Sequence, residues 1–185
     1  VASGMAAVFA SIMCRIKPGD HIVASRVLFG SCYYIVTEIL PRLGYDVTLV
    51  DGRDLDEWEK AFKDNTKFVF IETPSNPNLE LVDIEAVGKL SKKAGALFIV
   101  DNVFASPLLQ SPLELGADVV VYSTTKHIDG QGRTLGGAVL GSAEYIEDEL
   151  TPFHRHTGPA LSPFNAWVVL KGLEIRSVFT VSEAS

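Results

Sequence analysis

Apolar residues recur along the chain in two spacings that alternate from the first residues to about residue 150. Short continuous apolar runs predict buried strands, because strands of a sheet covered on both faces have no polar side. Apolar residues three and four positions apart predict amphipathic helices between these runs. The predicted strands are 21–24, 45–50, 67–72, 97–101, 118–123 and 136–141. The predicted helices are 4–16, 30–43, 142–150, one from Asp54 to about Phe62, and one that begins after Asp83.

This alternation of strands and helices is typical of an α/β fold, in which a mostly parallel sheet is sandwiched between helices. Two helices carry recognisable start signals. Asp54 is the expected N-cap of its helix, with Glu57 three residues later as its capping-box partner. Asp83 is the expected N-cap of a helix whose apolar residues fall on one face. No repeat or linker divides the chain, so one domain is expected.

Composition narrows the possible partners. The 185 residues are 47% apolar, and 16 basic against 23 acidic residues give a net charge of −7 without a basic tract. Nucleic acid and anionic membranes are therefore not expected partners. No apolar stretch has the length of a membrane span and no basic signal segment opens the chain, so a cytoplasmic location is expected. Cys14 and Cys32 are isolated, which predicts reduced thiols rather than a disulfide or a zinc site.

Polar residues stand where the predicted strands end. Glu72 ends one strand, Asp101 ends the next, and residues 123–126 (STTK) follow the one after that. Ligands of parallel α/β sheets bind beyond the carboxyl ends of the strands, so these side chains are expected to meet at one edge. An Asp and a hydroxyl-flanked Lys at such an edge suggest a pyridoxal phosphate site. There Lys126 would form a Schiff base, and Asp101 would hold the pyridine nitrogen.

Four motifs occur in an order that resembles the transsulfuration family, the Cys/Met-metabolism group of fold-type I pyridoxal phosphate enzymes. The motifs are 3–7 (SGMAA), 72–77 (ETPSNP), 101–102 (DN) and 123–126 (STTK). The family includes cystathionine γ-synthases, cystathionine and methionine γ-lyases, and O-acylhomoserine sulfhydrylases. Residues 28–32 and 127–137 most resemble the O-succinylhomoserine sulfhydrylases of this group. The resemblance implies the large cofactor domain of the aspartate aminotransferase-like fold.

The resemblance also implies roles for individual residues. The amides of Gly4 and Met5 and the hydroxyls of Ser123 and Thr125 would bind the cofactor phosphate. Lys126 and Asp101 would be catalytic, Asn76 would contact the 3′-oxygen of the cofactor, and Phe29 would stack on its ring. Each position also has an ordinary structural explanation when its residues are considered alone. These are a surface lysine for Lys126, a helix N-cap for Ser3, turn residues for Asn76, Ser123 and Thr125, a turn cap for Asp101, and a core aromatic for Phe29.

Phe29 departs from the pattern of most family members, which carry Tyr at this position. A Phe keeps the stacking surface but has no hydroxyl, so any acid–base role of the position must lie elsewhere or be dispensable. This departure weakens a lyase reading and fits the sulfhydrylase resemblance. Arg133 could reach a substrate or hold the glycine-rich turn around it. His127, His154 and His156 lack an accompanying Cys or carboxylate cluster, and no metal site is expected.

The resemblance implies a γ-replacement on O-succinyl-L-homoserine, in which sulfide displaces succinate to give L-homocysteine for methionine biosynthesis. A cystathionine γ-synthase or a methionine or cystathionine γ-lyase is the alternative within the family. A further alternative is a truncated cofactor-binding domain without turnover. Residues 1–185 are expected to be a fragment of the large domain that lacks the family's N-terminal arm and small C-terminal domain, with residues 175–185 departing from the family pattern. The intact protein is expected to be a homotetramer.

Overall fold

The computed structural model describes the backbone of residues 1–183 and the side chains of residues 1–174. Its described part contains a six-stranded sheet with helices on both faces. The strands are β1 (His21–Ser25), β2 (Asp46–Val50), β3 (Thr66–Glu72), β4 (Leu97–Asp101), β5 (Val119–Ser123) and β6 (Gly137–Gly141). The α-helices are α1 (Gly4–Met13), α2 (Gly30–Tyr34), α3 (Leu40–Arg42), α4 (Leu55–Ala61), α5 (Ile84–Ala94), α6 (Ser106–Leu109), α7 (Thr151–Thr157) and α8 (Pro163–Glu183). Three π-helical segments are π1 (Ile35–Ile39), π2 (Thr124–Ile128) and π3 (Tyr145–Leu150).

The strands are arranged in the order β2-β1-β3-β4-β5-β6. Strands β1 to β5 pair in parallel, and β6 pairs antiparallel with β5. This confirms the predicted mostly parallel α/β fold. The register sets Glu72 beside Asp101, so the carboxyl ends of β3 and β4 are level at one edge of the sheet.

Apolar side chains lie on both faces of the sheet, which explains the continuous apolar runs. Phe68 and Phe70 of β3 point to one face and pack in a cluster with α1. Val69 and Ile71 of the same strand point to the other face and pack in a second cluster with Trp58 of α4. All five of these residues are fully buried, so the inner strand β3 lies in the core, whereas the edge strands β2 and β6 are only partly buried.

Helix α1 is shorter than predicted. It ends at Met13 rather than Ile16, and the amide of Cys14 turns back to the carbonyls of Ala10 and Ile12. The next residues form a turn at Pro18 and Gly19 that leads into β1, and a proline is incompatible with helical geometry in the residue before it. Ile16 is nevertheless buried, because it packs in the core from the turn.

The helices predicted for 30–43 and 142–150 differ from regular α-helices in their internal geometry. Residues 30–43 do form one helical segment, but π1 widens it before Pro41 of α3. The helix predicted for 142–150 continues through π3 into α7 and ends at Thr157, with Pro152 in the first turn of α7. Proline has no amide hydrogen, and its ring clashes with the carbonyl four residues earlier in a regular helix. A widened π turn before each proline accommodates this constraint.

The helix starts were predicted with one error. Asp54 caps α4 by accepting hydrogen bonds from the amides of Asp56 and Glu57, and Asp83 caps α5 through the amide of Ala86. Glu57, however, is not a capping-box partner. Its carboxylate accepts the amide of Asp51 at 2.7 Å and pairs with Arg26 at 2.9 Å.

Helix α6, between β4 and β5, and helix α8, after the last predicted pattern, were not anticipated from the sequence. Gly172 of α8 lies so close to the turn after π2 that an added Cβ would be 3.0 Å from the carbonyl oxygen of Asp129. The expectation of an atypical tail over 175–185 concerns side chains outside the described residues. Within the described part of the chain, no helix is long and apolar enough to cross a membrane.

Candidate active site

Lys126 lies just beyond the carboxyl end of β5, in the π-helical segment π2. Its backbone dihedral angles (φ −90°, ψ −118°) are not helical, so the segment bends at this residue. The side chain lines a cavity of about 320 Å³, which is within the usual range of small-molecule sites. Among the side chains that the structure describes, the Lys126 ammonium has no hydrogen-bond or ion-pair partner. The cavity therefore contains a primary amine that is available for chemistry.

Most of the residues predicted for cofactor binding line this same cavity, although they come from four separate parts of the sequence. The helix α1 start, the α2 start, the loop after β3 and the end of β5 all contribute. The predicted residues that line it are Gly4, Met5, Phe29, Asn76, Ser123, Thr125 and Lys126. Asp101 is the exception, since it is buried and does not line the cavity.

Asp101 ends β4 next to the cavity-lining residue Val103. One carboxylate oxygen accepts the amide of Val103 at 3.0 Å, and the other accepts the Cys32 thiol at 3.9 Å. Burial, and secondly the neighbouring carboxylate of Glu72, raise the pKa of Asp101 to about 7. No cationic side chain pairs with Asp101 among the described residues. A buried carboxyl group with these properties would be stabilised in its charged form by a cation that entered from the cavity.

The cavity has a narrow end where α1 approaches β5. Ser3 caps α1 by accepting the Ala6 amide at 3.1 Å, as its ordinary explanation predicted. A Cβ added to Gly4 would lie 2.5 Å from the Cβ of Ser123, so only glycine allows this approach. Free amides at the start of a ten-residue helix, close to the Ser123 hydroxyl, form an arrangement that favours an anion.

Two further contacts hold this narrow end together. The Thr125 hydroxyl accepts the Gly136 amide at 3.0 Å, which ties the residue before Lys126 to the start of β6. Val1 and Gly137 exchange two hydrogen bonds of 2.9 Å, N to O in each direction. The beginning of the sequence is therefore attached to the same strand that supports the lysine turn. The buried Thr124 hydroxyl lies under this region and has no partner among the described residues.

Phe29 and Asn76 lie on the walls of the cavity. Phe29 is 42% exposed as a residue, so the alternative of an ordinary core aromatic does not hold. Asn76 belongs to the loop after β3, between Pro74 and Pro77. The amides of Phe29 and Asn76 both donate hydrogen bonds to the carboxylate of Glu72. Sequence reasoning placed Glu72 at this edge and gave it no role. The sequence feature that could have indicated a role for Glu72 is a charged residue at the end of a buried strand.

The weaker candidates lie apart from the cavity or support its surroundings. Arg133 donates to Asp129 through Nε at 3.0 Å and Nη2 at 2.7 Å, so it holds the glycine-rich turn. His154 lies 3.2 Å from the carbonyl of Pro159, and the His127 ring contacts the edge of Phe104. No group of three potential metal ligands occurs among the described residues.

These features together fit pyridoxal 5′-phosphate. Among the described residues, the Lys126 amine at the cavity has no partner and the buried Asp101 carboxyl has no cationic partner, and the α1 start provides amides for a phosphate. A mostly parallel α/β sheet with this arrangement at the carboxyl ends of its strands defines a pyridoxal phosphate-dependent enzyme of fold-type I.

Comparison with known proteins specifies the family. A family model described as "Cys/Met metabolism PLP-dependent enzyme" matches residues 1–178, and the chain belongs to that family. It is 59% identical over 177 residues to an O-succinylhomoserine sulfhydrylase of Mycobacterium tuberculosis, covering 96% of this chain and 44% of that protein. It is 51% identical over 173 residues to an O-succinylhomoserine sulfhydrylase of Pseudomonas aeruginosa, covering 94% of this chain and 43% of that protein.

Among solved structures, the crystal structure of metB from Corynebacterium glutamicum superimposes with a TM-score of 0.92 at 41% identity, covering 96% of this chain and 46% of that one. The chain therefore spans less than half the length of the relatives that it matches. The predictions of the family and of the cofactor are confirmed.

Proposed function

We propose that the whole protein to which this chain belongs replaces the succinyl group of O-succinyl-L-homoserine with sulfide, giving L-homocysteine and succinate. The observation that carries this proposal is the partnerless Lys126 amine in a cavity beside the buried Asp101 carboxyl. The likeness to sulfhydrylases and the Phe at position 29 support this reaction over the others of the family. In this reaction a C–O bond at Cγ breaks and a C–S bond forms at the same carbon.

Lys126 is the proposed attachment point of the cofactor and the base of the reaction. When bound, pyridoxal phosphate supplies an electron sink for the pair released at the substrate carbon. With the cofactor and substrate bound, the Lys126 amine would take the proton from Cα of the substrate. Its long side chain lets it return protons along the same face of the substrate.

Asp101 is the proposed partner of the pyridine nitrogen. Its burial leaves the carboxylate without water to solvate it, so a protonated nitrogen is a strongly favoured counter-ion. Keeping that nitrogen protonated increases the electron demand of the ring. Asp101 thus acts on the reacting carbon through the cofactor.

The remaining predicted residues have proposed binding roles. The amides of Gly4 and Met5 and the hydroxyls of Ser123 and Thr125 bind the phosphate at the narrow end of the cavity. Phe29 stacks on the ring, and Asn76 contacts the 3′-oxygen. Phe29 has no proton to give, so the proton transfers of the reaction are assigned to Lys126.

We also propose that residues 1–185 form the large cofactor domain of a longer, cytoplasmic, homotetrameric protein. The relatives are more than twice as long as this chain. The family resemblance implies that an N-terminal arm supplies a Tyr and an Arg for the neighbouring subunit's phosphate, and that a small C-terminal domain supplies an Arg for the substrate carboxylate. The 185 residues alone are therefore expected to bind the cofactor weakly and to turn over slowly. Robust turnover by the 185 residues alone would show that they need no further segment.

The reaction is tested by supplying the whole protein with O-succinylhomoserine and either sulfide, cysteine or no second substrate. Homocysteine from the sulfide reaction at the highest rate is the expected result. Cystathionine from the cysteine reaction, or 2-oxobutyrate without a second substrate, would instead indicate a γ-synthase or a γ-lyase. The Lys126→Ala variant should lose both turnover and the near-visible absorbance of the bound cofactor. An unchanged cofactor spectrum in this variant would contradict the role of Lys126.

A further inference from the structure

Glu72 is a buried carboxylate at the carboxyl ends of the strands, and its contacts connect two walls of the cavity. It is 4% exposed, and it ends β3 directly beside Asp101 of β4. Burial raises the pKa of its carboxyl group, which shows that the charged form lacks solvent. Glu72 has no cationic partner among the described residues. A carboxylate kept in such a position needs hydrogen bonds to compensate for the lost water.

Those hydrogen bonds come from two separate segments. One carboxylate oxygen, Oε2, accepts the Phe29 amide, and the other, Oε1, accepts the Asn76 amide at 2.8 Å. The Phe29 amide lies at the N-cap of the helical segment that begins with α2, and no side chain of the segment itself caps that start. The Asn76 amide lies in the loop between Pro74 and Pro77. The contacts span 43 and 4 residues of sequence, so one of them is purely tertiary.

Phe29 and Asn76 both line the cavity, as does Glu72 itself. The Glu72 carboxylate thus joins the loop after β3 to the start of α2. Each bond to a charged acceptor is stronger and more directional than a bond to a neutral one. Loss of either bond would remove one side of this link between the two walls.

We infer that Glu72 is a positioning residue that sets the spacing of Phe29 and Asn76, so that the cofactor ring is held between these two walls of the cavity. The inference rests on the proposed function, because it assumes that the ring occupies this cavity. Glu72 itself donates nothing to the reaction. It acts through the two backbone amides from which it accepts hydrogen bonds.

The test uses two substitutions that remove different properties of Glu72 in the whole protein. Glu72→Gln keeps the length of the side chain but replaces one acceptor oxygen with a donor group, so one of the two amides loses its partner. Glu72→Asp keeps the charge but is one methylene shorter, so it cannot reach both amides. The matched control is Asp118→Asn, because Asp118 also accepts a backbone amide, that of Phe98 at 2.8 Å, at the opposite end of the strands.

Two quantities are measured on each variant. The first is the dissociation constant for pyridoxal phosphate, which we expect to rise about ten-fold or more in both Glu72 variants and to remain unchanged in Asp118→Asn. The second is amide hydrogen exchange in the cofactor-free protein, followed by mass spectrometry of the peptides that contain residues 29 and 76. Protection of these two peptides should fall in both Glu72 variants, while the peptides of β3 and β4 remain protected.

Several outcomes would overturn the inference. Wild-type cofactor affinity in Glu72→Asp would show that the spacing set by Glu72 does not matter for binding. Unchanged exchange at residues 29 and 76 in both variants would show that other contacts hold these walls. Loss of protection across the whole sheet would assign Glu72 to general stability. A wild-type protein that fails to attach the cofactor at Lys126 after borohydride reduction would instead contradict the proposed function, while exchange would still report on the contacts of Glu72.

Discussion

Replacement of Asp101 by Asn should stabilise the cofactor-free protein at alkaline pH, although it removes a proposed catalytic group. The pKa of Asp101 is raised from 3.8 to about 7, because the carboxylate is buried and lies beside Glu72. A carboxyl group whose pKa is higher in the folded state favours folding only while it is protonated. Its contribution is complete below the unfolded pKa near 3.8 and is lost as the pH rises through about 7.

The magnitude follows from the size of the shift. Each pKa unit corresponds to about 1.4 kcal/mol, so a shift of roughly three units costs the folded, cofactor-free protein about 4 kcal/mol once the pH exceeds 7. This cost is a large fraction of the stability of a typical domain, about 5–15 kcal/mol. Asn has nearly the same shape, can still accept the Val103 amide and has no charge to bury, so it avoids the cost.

The assay is denaturant unfolding of cofactor-free wild type and Asp101→Asn protein between pH 5 and pH 8. Part of the effect is already present at pH 5, so between pH 5 and pH 8 the free energy of unfolding of the variant, relative to wild type, should increase by about 2–3 kcal/mol. The same variant should bind the cofactor more weakly, since it offers no charge to the pyridine nitrogen. A difference between the two proteins that does not change with pH would refute the reasoning, and so would a variant that is less stable at pH 8.

Two other predictions concern His21 at the start of β1 and Gly4 at the start of α1. The ring nitrogens of His21 form hydrogen bonds with Thr66 at 2.7 Å and Thr48 at 2.9 Å, and burial lowers the pKa of the ring. The contribution of His21 to the stability of the fold should therefore be complete above pH 6.5 and be lost as the pH falls below that value. In His21→Leu this acid-side slope of the unfolding free energy should be absent, and an unchanged slope would assign it to other groups. Gly4→Ala should weaken cofactor binding by about ten-fold or more in a fluorescence titration, because its Cβ would meet Ser123 at 2.5 Å. Gly30→Ala is the matched control, since nothing lies within 4 Å of its added Cβ, and equal effects of the two substitutions would contradict the steric argument.

Local patterns were sufficient for the positions of the strands and for the caps Asp54 and Asp83. Apolar runs and capping chemistry are properties of neighbouring residues, so a single sequence displays them. The antiparallel direction of β6 could not be predicted in this way, because an apolar run has the same composition in a parallel and an antiparallel pair. The π turns before Pro41 and Pro152 were also missed, since a proline in a helical pattern indicates a disturbance without specifying its geometry.

The sequence predicted the chemical groups of the site better than the hydrogen bonds that hold it together. Lys126 and Asp101 are recognisable because each is a polar residue that ends an apolar run, and motif order supplied their expected roles. The partners of Glu57 and Glu72 were not accessible in the same way. Glu57 bonds to Asp51 rather than to its own helix start, and Glu72 bonds to an amide 43 residues away. Such choices depend on which backbone groups the finished fold leaves unpaired.

The attachment of Val1 to Gly137 has a consequence for the order in which this domain can be built. These hydrogen bonds join residues 136 positions apart, and they close one of the longest loops in the described chain. During synthesis, β1 to β4 can pair before the narrow end of the cavity exists, because that end needs β5, the lysine turn and β6 as well. Contacts of such long range are slow to form, because the entropy of closing a long loop must be offset first. We therefore expect the cofactor to bind a domain in which these contacts have already formed, and to stabilise the fold rather than to start it.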